Sequence, residues 1–202
     1  MKIYLDMDGV ICNLGIQLEL EIKKLLNSSQ LESNSTSKII TKIKNHKLYE
    51  TTPIDYNFLK NIFIKKDLST LSQFEKLVSN LSYKPLFSNL NIWQKLQKYE
   101  GADELVHFLI GNFGTENVRI LTAPIDDDCI VGKKKWLLRH YPYLLENALF
   151  EVNKYKYADA KSLIIDDRPK NTFLFIKNGG KAIHHKTCKD TIRILKEQYL
   201  IS

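Results

Sequence analysis

The 202-residue chain is poor in the residues that mark special architectures. Its three cysteines, Cys12, Cys129 and Cys188, are odd in number, far apart and without any CxxC pair. That excludes a disulfide framework and a zinc ribbon, and points to reduced thiols in a cytoplasmic protein. Five prolines and eight glycines are too few for a collagen-like or low-complexity chain. No apolar run approaches the roughly 20 residues that a membrane-spanning helix needs. The opening "MKIYLD" meets an acid too early for a secretory leader. No membrane contact is expected. The run "GKKK" (132 to 135) lacks the preceding glycine spacing of a phosphate-binding P-loop, so its charge reads as a solvated helix face.

What the chain does hold is an ordinary globular balance, 44% hydrophobic and 26% charged, with enough length to bury a core without staples. Its net charge of +7, from 30 basic against 23 acidic side chains, favours anionic small molecules or nucleic acid.

Periodicity then divides the chain. "KIYLD" (2 to 6) reads as a short buried strand, and "NLGIQLELEIKKLL" (13 to 26) as a helix with Asn13 as its N-cap. Residues 27 to 37 read as a polar loop. From about 38 to 100 the pattern is helical, clearest in "FEKLVSNL" (74 to 81) and "IWQKLQKY" (92 to 99). The second half alternates. Helices are expected at 102 to 113, 126 to 142 and 190 to 200, and a helix or turn at 170 to 180. Strands are expected at "VRILTAP" (118 to 124), "ALFEV" (148 to 152), "SLIID" (162 to 166) and "KAIHH" (181 to 185). The acids at 126 to 128 suit the first turn of a helix. His184 and His185 have no partners at metal-ligand spacing. Strands alternating with helices indicate an α/β fold, a Rossmann-like parallel sheet with helices on both faces. The helical stretch interrupts it as a small cap inserted after the first strand. The expected division is a core of residues 1 to 14 and 101 to 202, with a cap of residues 15 to 100.

Three predicted strand ends are chemically loaded: "YLDMDG", "ILTAP" and "LIIDDRP". A parallel sheet aligns its carboxyl ends on one edge, where ligands bind. Asp6, Asp8, Thr122, Asp166 and Asp167 would then surround one cavity. Carboxylates so close repel one another unless a cation sits among them. A hard, oxygen-ligated dication, best Mg2+, answers that need, and the lack of His or Cys in these stretches disfavours zinc.

"DMDGV" (6 to 10), "ILTAP" (120 to 124) and "LIIDDRP" (163 to 169) resemble, in order, the first, second and fourth motifs of the haloacid dehalogenase (HAD)-like phosphohydrolases. More narrowly, "DDRP", "EGADELV" (100 to 106) and "KWL" (135 to 137) resemble the 5′(3′)-deoxyribonucleotidase branch, the C-type 5′-nucleotidases. The likeness covers residues 1 to 14 and about 86 to 185. It implies a Mg2+-dependent phosphomonoesterase. Asp6 would be the nucleophile and Asp8 the general acid and base, an arrangement that suits hydrolysis. Thr122 and the amide of Ala123 would bind phosphate. A third-motif lysine is implied upstream of Asp166. Lys156, ten residues before it, has the expected spacing, with Lys154 and Lys161 as rivals. Asp167 best matches the branch's metal ligand, together with Asp6 and the backbone carbonyl of Asp8. Asp166 would support the metal from outside or replace Asp167. Arg168 would reach phosphate or form a salt bridge in the loop.

The implied substrate is a nucleoside monophosphate. The branch stacks the base on an aromatic eight residues after the nucleophile, where this chain has Leu14. Trp93, Phe87, Phe58 and Tyr56 are the alternative stacking faces, although aromatics at such spacing usually pack in a core. Another phosphorylated metabolite, a nucleic-acid end, or a silent binding module of the same fold are the competing readings. Oligomeric state is not legible, and a homodimer stays open.

Overall fold

The computed structural model describes residues 1–27, 35–64, 70–83 and 90–199. A five-stranded parallel sheet forms its centre: β1 (Lys2–Leu5), β4 (Val118–Thr122), β5 (Leu149–Phe150), β6 (Ser162–Asp166) and β7 (Lys181–His184), in the order β5-β4-β1-β6-β7. This is the α/β class expected from the alternation of strands and helices. The chain starts in the middle strand, builds outward on one side through β4 and β5, then crosses to build the other side through β6 and β7. In open sheets of this kind ligands bind where the strand order reverses, here at the carboxyl end of β1 between its two neighbours.

The β1 residues Ile3, Tyr4 and Leu5 are all buried, because both sheet faces are covered. Side chains alternate between those faces. Ile3 and Leu5 join Ile120, Leu163 and Ile165 in the larger core, which α6 (Ala102–Phe113), α7 (Asp127–His140) and α10 (Cys188–Tyr199) help to close. Tyr4, Leu121 and Ile164 pack on the other face against Phe175 of α9 (Pro169–Lys177).

Between β1 and α6 the chain makes an excursion. It leaves through β2 (Cys12–Asn13) and returns through β3 (Gln97–Lys98), which pair antiparallel, Cys12 opposite Lys98 and Asn13 opposite Gln97. The described residues in between form α1 (Leu14–Asn27), α2 (Ser35–Lys44), α3 (Tyr56–Ile64), α4 (Gln73–Tyr83) and α5 (Leu90–Gln94). Asn13 Oδ1 accepts from the amide of Ile16 at 3.1 Å, the expected N-cap. Most of the loop expected at 27 to 37 lies outside the described residues, as does Phe87.

One helical expectation fails. The pattern at 92 to 99 predicts a helix, but α5 ends at Gln94 and the chain turns extended. The buried indole of Trp136 donates to Leu96 O at 2.6 Å, and Tyr99 N donates to Ile11 O at 2.9 Å. Tertiary partners thus take the backbone groups that a continued helix would have used. The predicted helix of 126 to 142 stops at His140, and Pro142 opens a separate short turn, α8 (Pro142–Leu145).

Candidate active site

Three strand ends deliver the site. Asp6 follows β1, Thr122 ends β4 and Asp166 ends β6, with Leu5 level with both Ile120 and Ile165. Asp6 N donates to Ile165 O at 2.9 Å, so parallel pairing continues up to the carboxylate. Gly9 then bends the chain with φ 79°, a conformation that side chains rarely adopt. A Cβ at Gly9 would also lie 2.5 Å from Asp167 Oδ2, so any side chain there would displace the Asp167 carboxylate.

Asp6 is buried. Its Oδ1 accepts from the Met7 amide at 2.7 Å and pairs with Lys154 Nζ at 2.7 Å. Burial opposes its ionisation, but Lys154, with help from Lys133, holds its carboxyl below the usual range. Lys154 Nζ also meets Asp166 Oδ2 at 2.7 Å. Asp166 has further donors: Asn171 Nδ2 at 3.0 and 2.9 Å and the Arg168 amide at 2.9 Å. Burial and the neighbouring Asp6 still push its carboxyl up to about 6.

Asp167 is different. Its Oδ1 is buried and has no hydrogen-bond partner. Burial, Asp6 and Asp166 push its carboxyl up to about 7. Oxygens of Asp6, Asp166 and Asp167 lie within 4.8 Å of one another. An orphaned carboxylate oxygen beside two further acids fits a hard dication. The two acids differ in their partners: Asp166 is held by Lys154, Asn171 and the Arg168 amide, whereas Asp167 Oδ1 has none.

The lysine expectation is corrected. Lys156 is exposed and pairs with Glu151 at 3.0 Å, away from the carboxylates. Residues 154–157 form a 3₁₀ turn, whose threefold period turns Lys156 away from the direction Lys154 takes. Lys161 is likewise exposed. The Arg168 side chain is exposed and makes no ion pair among the described residues, so the loop salt bridge does not form, while its amide donates to Asp166 Oδ1 at 2.9 Å.

The larger omission is Lys133, read from sequence as part of a solvated run. It is fully buried. Its Nζ donates to Asp8 Oδ2 at 2.6 Å, Thr122 Oγ1 at 2.7 Å and Ala123 O at 3.0 Å, and lies 5.0 Å from the Trp93 ring. A signal for it existed. Cys129, Gly132, Lys133, Trp136 and Leu137 are the buried residues of α7. They stand at helical spacing, so Lys133 occupies a core-facing stripe, where a lysine requires partners.

Thr122 and Ala123 therefore lie beside Asp8 and Lys133, and Asp6, Asp166 and Asp167 gather around Lys154. Trp93 is buried beneath Lys133, and Phe58 packs on Phe74 at 6.0 Å. Trp93 presents no open stacking face, and Phe58 is partly buried against the core. The side chain of Tyr56 lies outside the described residues, and Leu14 is partly buried against the core.

No family model matches the chain, and no curated protein matches it. Among solved structures it is similar to a hydrolase from Streptococcus pneumoniae TIGR4, with 12% identity, TM-score 0.49, and 96% of this chain and 97% of that one covered. It is also similar to a HAD-family hydrolase from Deinococcus radiodurans R1 with bound phosphate and sodium, with 11% identity, TM-score 0.47 and coverage of 90% and 78%. A third is a HAD-family enzyme from Bacteroides thetaiotaomicron in complex with magnesium and inorganic phosphate, with 12% identity, TM-score 0.42 and coverage of 92% and 93%. No helix among the described residues is long and apolar enough to cross a membrane.

Proposed function

We propose that this chain is a Mg2+-dependent phosphomonoesterase of the HAD type that hydrolyses its substrate through an aspartyl-phosphate on Asp6. The observation that carries the reading is the buried, partnerless Asp167 Oδ1 within 4.8 Å of Asp6 and Asp166 oxygens, next to a lysine-bound nucleophile. Asp6, Asp167 and the backbone carbonyl of Asp8 would hold the metal, which when bound supplies positive charge against the phosphate oxygens.

The residues of this chain do the rest. Lys154 and the Met7 amide hold Asp6 Oδ1 and fix the nucleophile's orientation. Asp166 and Asn171 hold Lys154 in turn, directly and through the shared carboxylate. Thr122 and the Ala123 amide take phosphoryl oxygens, and Lys133 offsets their charge from the other side. Asp6 attacks phosphorus in line while the ester oxygen departs with a proton from Asp8. Asp8 then takes a proton from water, which attacks the same phosphorus, frees phosphate and restores Asp6.

The domain division belongs to the same proposal: residues 15 to 100 act as a cap over a core of 1 to 14 and 101 to 202. The antiparallel pair of Cys12–Asn13 with Gln97–Lys98 supports it, because both connections to the excursion run side by side. We place nucleoside monophosphates first as substrates, on the resemblance of "DMDGV" and "DDRP" to the deoxyribonucleotidase branch. Packed Trp93 and Phe58 give that choice no support.

The test is phosphate release, with Mg2+ and after chelation, from a panel of deoxy- and ribonucleoside 5′- and 3′-monophosphates, sugar phosphates and a 5′-phosphorylated oligonucleotide. Deoxynucleoside monophosphates should lead, and Asp6→Asn should abolish turnover. Sugar phosphates leading by about tenfold, or about 1.4 kcal/mol in the barrier, would overturn the substrate class and leave the chemistry standing.

A further inference from the structure

Both oxygens of Asp8 are held by the protein. Lys133 Nζ donates to Oδ2 at 2.6 Å, and the Cys12 thiol lies 3.5 Å from Oδ1. The thiol is also 3.3 Å from Met7 O, so its single proton has two acceptors within reach.

Cys12 is itself rigidly placed. It is fully buried, its amide donates to Met7 O at 3.0 Å, and its carbonyl accepts from Gly9 N at 2.9 Å. It also pairs with Lys98 as the first residue of β2. Asp8 needs such support. It sits on a turn beside a glycine with positive φ, and its side chain is 21% exposed, unlike the enclosed Asp6. One donor on one oxygen lets a carboxylate pivot about that contact. A second donor on the other oxygen fixes its plane.

We propose that Cys12 is a positioning residue for Asp8: its thiol, donating to Oδ1 while Lys133 holds Oδ2, sets the plane in which Asp8 meets the leaving group. The inference rests on Asp8 being the acid and base of the phosphatase reading. A buried thiol suits the task because it packs as a small apolar group and still carries a weak donor.

The experiment compares kcat/KM for wild type, Cys12→Ala, Cys12→Ser and Asp8→Asn in Mg2+, using p-nitrophenyl phosphate and phenyl phosphate. The two esters have similar shape but differ in how much the departing oxygen needs a proton, and kcat/KM reports the step in which it departs. Misaligned acid catalysis should cost Cys12→Ala about tenfold on phenyl phosphate and less than about threefold on the nitro ester. Cys12→Ser keeps a donor and should retain most of the rate on both. If Cys12→Ala does not fold, Cys12→Val fills the space without a donor and takes its place.

Equal losses on both esters, no loss on either, or a serine variant as impaired as alanine would overturn the proposal. Wild type inactive on both esters, or an Asp8→Asn variant no more impaired on phenyl phosphate than on the nitro ester, would instead sink the phosphatase reading and this inference with it.

Discussion

Lys133 and Lys154 each carry a charge into the interior, and each is tolerated because carboxylates meet it there. Burial alone would strip the proton from either. The facing Asp8 for Lys133, and Asp6 with Asp166 for Lys154, reverse that and hold both lysines above the usual range. Removing one partner of such a set is costly, because the others stay buried without compensation. Lys154→Met should lower kcat by at least about a hundredfold, and destabilise the fold by about 3 kcal/mol in urea unfolding, since it strands Asp6 and Asp166. Lys156→Met, two residues on, should change kcat by less than about twofold, because its partner Glu151 is a surface group. Parity between the two variants would refute the placement of Lys154 in the chemistry.

At the level of elements, α7 brings Lys133 to the site, and its start is fixed by Asp126, whose Oδ1 accepts from Cys129 N at 2.7 Å. Asp126→Ala should cost about 1 kcal/mol of stability, the usual worth of an N-cap, read as a lower urea midpoint at unchanged slope. The passage from β7 into α10 holds a pH-sensitive joint. His185 is buried, its Nδ1 lies 2.8 Å from Thr191 Oγ1, and its Nε2 has no partner. Burial drives its ring down to about 4, so it is neutral in the native protein. The unfolded chain titrates near the ordinary value of about 6.5 and binds the proton more tightly. The joint's contribution is therefore complete above that pH and is lost as pH falls toward 4. Denaturation at pH 7 and pH 4 should show His185→Gln losing less stability than wild type, by up to about 3 kcal/mol. Identical losses would place the ring's titration outside the folding equilibrium.

At the scale of the whole molecule, reversal of strand order on either side of β1 makes the site one object, because it brings Asp6, Thr122 and Asp166 from distant stretches of chain to one edge. A cation bound there should tie the strands together. Mg2+ at a hundred times its dissociation constant should stabilise the protein by about 2.7 kcal/mol, roughly a 5–10 °C rise in Tm. Asp167→Asn should abolish that rise without unfolding the protein. A Mg2+-dependent shift that survives in Asp167→Asn would remove Asp167 from the metal site. The sequence by itself determined the α/β class and the meeting of Asp6, Asp166 and Asp167 at one edge of the sheet, because strand alternation and acids placed at strand ends are local patterns. Tertiary structure alone decided which lysines face those acids. A 3₁₀ turn chose Lys154 over Lys156, and the buried stripe of α7 turned Lys133 inward. Which way a flexible cation points depends on partners far away along the chain, and counting residues does not carry that information.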